Sequence, residues 1–230
     1  MHTNDNGHYA AAVAALADRR YEAAGDAYTR AGWSVLADPR DDHDPFAPDD
    51  RGSIGDGPRH LLTAALCYRV ADCPARATRR ATAGIALVGD LGATMATPLQ
   101  AACFDEFAAD FRVAGGLEGA TDAYAAAADA YRAAADETTD PQTVGATPLF
   151  LAAAAPAKQL ARTLEDGEIA IEWEDLHGAD PSDPGDFLAA RAEYKRQRFA
   201  SLVDGCVDKG VLAAPRGTTE YATDHHACPA

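Results

Sequence analysis

The sequence predicts an all-α protein. A single domain over residues 1–213 is expected to stack antiparallel helix pairs into an irregular superhelix closed by a C-terminal capping helix, with a flexible tail over 214–230. Three observations predict this. Alanine fills 55 of 230 positions, and alanine is the best helix former and is scarce in sheets. A ladder of small and aromatic residues at steps of three and four recurs along the chain. Glycine and proline fall between the copies, where helices turn or begin.

The first copy is the run "RRYEAAGDAYTRAG", in which Tyr21, Ala24, Tyr28 and Ala31 share one helical face. Residues 6–17 form the helix before it, with Tyr9, Val13 and Leu16 on one side. The segment Asp38–Pro58 follows, with seven Asp, two Arg, four Pro and three Gly. Phe46 and Ile54 are its only large apolar residues, so too little surface is buried to offset ordering entropy, and a mobile loop is expected.

In the second copy Leu61, Ala64, Ala65 and Tyr68 mark one helix, Pro74 opens the next, and Ala77, Ala81 and Gly84 continue the ladder. Its aromatic rung is missing. The third copy is the fullest: Phe104, Phe107, Ala108 and Phe111 precede a Gly115-Gly116 turn, and Leu117, Ala120, Tyr124 and Ala127 match the first copy position for position.

After residue 138 the pattern changes. A helix is expected from Pro148, kinked or broken before Pro156. Ile169, Trp173 and Leu176 suggest a short amphipathic helix, and the alternation across Ile169 and Ile171 leaves a strand open. A long helix follows, with Asp183 as N-cap and Pro184 at its first position. Its apolar stripe runs Leu188, Ala192, Phe199, Leu202, Val203 and Cys206, and capping the stack is its expected role.

The formal charge is −16, from 36 Asp+Glu against 20 Lys+Arg, with only three lysines: Lys158, Lys195 and Lys209. Such an Asp-rich, Lys-poor composition resembles proteins of extreme halophiles, archaeal ones among them. A field of this sign argues against general nucleic-acid binding, which requires cations on phosphates. The five cysteines follow no disulfide or zinc spacing. The first residues lack a basic signal region, and no run of about 18 strongly apolar residues is present, so a cytoplasmic protein without a membrane span is expected.

The three ladders resemble tetratricopeptide repeats, in which a small residue admits the paired helix and an aromatic fills the gap beside it. The copies start near residues 5, 58 and 101, wider than the family period of about 34 residues. The stretches "AAGDAYTRAG", "LLTAALCYRVADCPARATRRATAGIALVGDL" and "FDEFAADFRVA" are also similar to the soluble NSF attachment proteins. That resemblance implies a right-handed superhelix and a protein-binding adaptor role, without catalysis and without a cofactor. The chain is shorter than that family and lacks its leucine-rich terminus.

Candidate binding residues are the cations Arg191, Lys195, Arg196 and Arg198, four of the chain's 20 within eight positions. Arg191, Lys195 and Arg198 share a helical face. They either dock an acidic partner, a protein (acidic or helical) or an RNA backbone, or neutralise carboxylates of the chain itself. Arg69 and Arg112, with Asp72 and Asp110, are the candidates on the inner helices of a concave groove. No catalytic motif is found. Glu172 with His177 is the remaining acid–base pair, and His225, His226 and Cys228 are the alternative metal ligands or part of an unstructured tail, the first reading being a metal-binding or small-molecule enzyme on a helical bundle.

Overall fold

The computed structural model describes residues 5–37, 44–48, 53–164 and 171–215. Their regular structure is helical, with no strand among the described residues. The order is α1 (Asp5–Ala17), α2 (Tyr21–Ala37), α3 (Asp56–Val70), α4 (Pro74–Thr94), α5 (Pro98–Gly115) and α6 (Ala120–Ala133). A short 3-10 turn and α7 (Pro141–Gly145) then lead to α8 (Pro148–Leu164), α9 (Trp173–Leu176) and α10 (Pro184–Lys209).

From α1 to α6 each helix packs on the next. The ladders make this possible. Ala24, Tyr28, Ala31, Ala77, Ala81, Tyr124 and Ala127 are all buried, so the residues of the repeated pattern are the contact surfaces between paired helices. At Gly84 the approach is closest: a Cβ there would lie 2.4 Å from the Phe111 ring.

Three hairpin turns repeat one hydrogen-bond pattern. Arg19, Asp72 and Gly116 take left-handed backbone, with φ of 57°, 54° and 64°. Each donates its N–H to the carbonyl three residues back, Leu16, Arg69 and Val113. The following residue donates to the carbonyl five back, Ala15, Tyr68 and Arg112, at 2.8 Å in all three. This is the double bond that satisfies the orphan carbonyls at a helix C-terminus. Its recurrence at residues 19, 72 and 116 follows the spacing of the sequence copies and needs glycine only in the third.

The remaining helices fold back over the stack. α8 packs against α3 and α5, while α10 packs along α6 and reaches α8, α5 and α3. The start of α10 is as expected: the Asp183 side chain accepts from the Asp186 N–H and Pro184 follows at the first helical position. Its stripe of Leu188, Ala192, Phe199, Leu202, Val203 and Cys206 is buried throughout. Beyond α10, the Leu212 N–H donates to the Tyr21 hydroxyl at 3.2 Å, which ties the end of the described chain to the first hairpin.

Three expectations are corrected. α8 runs across Pro156 without the break that is one of the two outcomes expected there. Proline removes the N–H that would bond the Ala152 carbonyl, but side-chain donors from α10 hold the neighbouring carbonyls: Arg191 bonds that of Phe150 and Lys195 that of Ala153. The helix expected around Trp173 is a single turn, with Glu172 as its cap, and residues 165–170, including Ile169, lie outside the described residues. Within 38–58 the described parts do engage the core: Ile54 is buried, the Phe46 ring meets Phe104 edge-on at 6.2 Å, and α3 already begins at Asp56. The Ser53 and Ile54 N–H groups both donate to the Pro45 carbonyl, closing that turn. The rest of this segment lies outside the described residues.

Candidate functional site

The cations of α10 separate into two groups. Arg191 is 2% exposed and Lys195 0%, so neither is on a docking surface. They face Glu106 and Asp110 of α5, which stand four residues apart just as the cations do. Arg191 forks onto Glu106, Nε to Oε1 at 2.7 Å and Nη2 to Oε2 at 2.8 Å. Lys195 Nζ reaches Glu106 at 2.7 Å, Asp110 at 2.6 Å and the Ala153 carbonyl at 2.8 Å, so all three ammonium donors are used. Tyr131 and Tyr124 of α6 donate their hydroxyls to Glu106 and Asp110.

Two anions and two cations thus neutralise one another inside the fold. Burial opposes ionisation of Glu106, but the two cations outweigh it and hold its carboxyl at about 2. Burial, together with the Glu106 charge, wins at Asp110 and raises it to about 6 in spite of Lys195. Every strong donor here is consumed by the chain itself, so the cluster fastens α10 to α5 and leaves nothing for a ligand.

The other expected binding residues stay apart from this cluster. Arg196 and Arg198 are exposed, Arg196 pairing with Glu193 at 2.8 Å. Arg69 bonds the Val113 carbonyl and Asp204, and Arg112 bonds the Glu118 carbonyl, so both bind hairpin turns together. Asp72 is the left-handed residue of the second turn. The inner helices α3 and α5, expected to line an open groove, are covered by α8 and α10. His177 is buried against Phe187 at 5.9 Å and Glu172 is an exposed helix cap. His225, His226 and Cys228 lie outside the described residues, among which no group of three His, Cys, Asp or Glu could hold a metal.

A site that sequence reasoning missed lies between α3 and α8. A cleft of about 260 Å³ opens between α8 and the first three helices. Tyr9 of α1, Tyr28 of α2 and Arg59, His60 and Thr63 of α3 form one wall. Ala155, Pro156, Lys158, Gln159 and Arg162 of α8, with Pro215, form the other. Among the described residues none that lines it is acidic, in a chain with 36 carboxylate side chains, and three of its 20 Lys and Arg converge there.

His60 sits at the inner end. Its ring lies 5.0 Å from that of Tyr9 and 6.0 Å from that of Tyr28. Arg59 Nη2 lies 3.5 Å from Nε2. A guanidinium can only donate, so Nε2 accepts and the neutral ring carries its proton on Nδ1. Burial first, and then the Arg59 charge, lower the His60 pKa to about 3, so the ring is neutral at physiological pH.

Neither His60 Nδ1 nor the Tyr28 hydroxyl has a hydrogen-bond partner among the described residues. Each such buried orphan costs about 1–3 kcal/mol. The repeat makes this telling. Tyr124, the counterpart of Tyr28 in the third copy, gives its hydroxyl to Asp110 on α5, the preceding helix of its own pair, at 2.6 Å, whereas Tyr28 lines the cleft. At the mouth, Lys158 is exposed and forms no ion pair among the described residues. Partial desolvation and then the Arg191 charge lower its pKa.

No helix among the described residues is long and apolar enough to cross a membrane. In comparisons with known proteins, no family model matches the chain, and no curated protein or solved structure matches it.

Proposed function

We propose that the protein is a non-catalytic adaptor, a helical-repeat scaffold of tetratricopeptide type that holds a segment of another protein. The cleft between α3 and α8 carries this reading. It joins aromatic walls to unsatisfied donors and a cationic mouth, a combination suited to an acidic partner segment. The three hairpins with one shared turn geometry support the repeat architecture. A negative overall field directs phosphate backbones elsewhere, so the partner is a protein rather than a nucleic acid.

The test is comparative capture from native lysate at high salt. Ala155→Trp fills the cleft from its α8 wall while leaving the buried ion cluster intact. A protein retained by the wild type and lost with the variant is the expected result. Retention of the same proteins by both, or of none, sinks this reading.

A further inference from the structure

We infer that the cleft between α3 and α8 binds a compact carboxylate carried on an apolar or aromatic body, with Lys158, the His60 Nδ1–H and the Tyr28 hydroxyl as its polar contacts. This rests on the cleft being the binding site and adds the chemistry of what enters it.

The inner end offers donors. Neutral His60 presents an N–H, and burial keeps the Tyr28 hydroxyl protonated by pushing its pKa far above the usual phenol range. Both groups lack partners and both are almost wholly buried, His60 4% exposed and Tyr28 1%. An acceptor between them would satisfy two orphans at once. None of the described residues that line the cleft supplies one, since none of them is acidic.

The forked donors of the cleft are already engaged. Arg59 is paired with Asp56 at 2.8 Å, and Arg162 donates to the Ala214 carbonyl. Lys158 is the lining cation that forms no ion pair among the described residues and stands free at the mouth. A phosphate dianion asks for more than one such group and for forked arginine contacts, so a carboxylate fits better. The rings of Tyr9 and Tyr28 and the Pro156 ring favour an apolar body. At about 260 Å³ the space lies below the usual range of about 300–1,000 Å³ for drug-sized ligands, which limits the occupant to one ring or one side chain.

Two sources carry this group: a free organic acid and the terminal residue of a partner chain. Full-length protein is titrated by calorimetry with benzoate, benzamide and inorganic phosphate, and with an acetylated peptide ending in Phe, its terminus free or amidated. The His60 ring is followed by nitrogen-15 NMR. Benzoate is expected to saturate and to shift the Nδ1 resonance, with benzamide and phosphate at least tenfold weaker.

Lys158→Gln should weaken benzoate about tenfold or more, the worth of one charge-assisted hydrogen bond. Lys158 is exposed, so that variant keeps the fold, and circular dichroism checks it. A free-terminus peptide tighter than benzoate identifies a chain end as the source, and a weaker one identifies a free acid. No saturable benzoate binding, equal affinity for benzamide, or indifference to Lys158→Gln overturns the inference. If those fail while Ala155→Trp still abolishes partner capture, only the chemistry is wrong. If benzoate binds and capture fails, the adaptor reading falls and the anion site stands.

Discussion

Lys195 and Asp110 meet at 2.6 Å with both side chains wholly shielded from water, 85 residues apart in sequence. Removing two charges from water is costly, and the return depends on complete hydrogen bonding. Here every ammonium proton has an acceptor and each carboxylate oxygen of Glu106 receives two donors. The cluster fixes where α10 lies along α5, because a shift of one turn would leave one cation and one carboxylate buried without a partner.

Glu106→Gln should destabilise the fold by about 3–5 kcal/mol, since it strands a buried positive charge. Asp110→Asn should cost clearly less, because burial already raises that carboxyl and penalises its charged form. Guanidinium unfolding of both variants at neutral pH measures the difference, and equal losses would contradict the assignment.

His60 makes stability depend on pH. Its pKa is lowered in the fold from 6.5 to about 3, so its contribution is full above about 6.5 and falls as pH drops and the unfolded chain takes up the proton. Wild type should lose about 2 kcal/mol relative to His60→Gln between pH 7 and pH 5. Using the difference cancels Asp110, whose raised pKa acts in the opposite sense over part of that range. Urea titrations at the two pH values supply the measurement.

Two glycines of α4 should respond oppositely. At Gly84 a methyl group meets the buried Phe111 ring at 2.4 Å, so Gly84→Ala is expected to cost about 1–3 kcal/mol. Gly89 is exposed with nothing within 4 Å, so Gly89→Ala should stabilise by about 0.5–1 kcal/mol through helix propensity. Thermal melts of the pair decide it.

The charge of −16 predicts salt dependence. Between 0.1 M and 1 M KCl the screening length falls from about 10 Å to about 3 Å, relieving repulsion among surface carboxylates. Helicity by circular dichroism and the melting temperature should both rise over that range, and full helicity in dilute buffer would contradict it.

The helices were legible because their signals are local. Tyr21, Ala24, Tyr28 and Ala31 state which face is buried, and Asp183-Pro184 states where α10 begins. Burial of Arg191 and Lys195 was harder to read, since charge normally marks a surface. The signal was present: both sit within the apolar stripe of Leu188, Ala192 and Phe199, and Glu106 and Asp110 sit at the same spacing among Phe104, Phe107 and Phe111. The cleft could not be read at all. It exists only because α8 packs against α3 about 100 residues away in sequence, and nothing in His60 or Lys158 alone announces that meeting.

The bond from Leu212 to Tyr21 spans 191 positions and turns a linear stack into a closed circuit. In an open repeat array each unit needs only its neighbours, so folding spreads from any point and the ends fray independently. Here α5 holds two carboxylates whose counter-charges arrive only with residues 191 and 195. Until α10 is in place, the α5 face that carries those carboxylates lacks its counter-charges. The third helix pair therefore depends on α10 for its charge balance, a dependence that an open repeat array does not have.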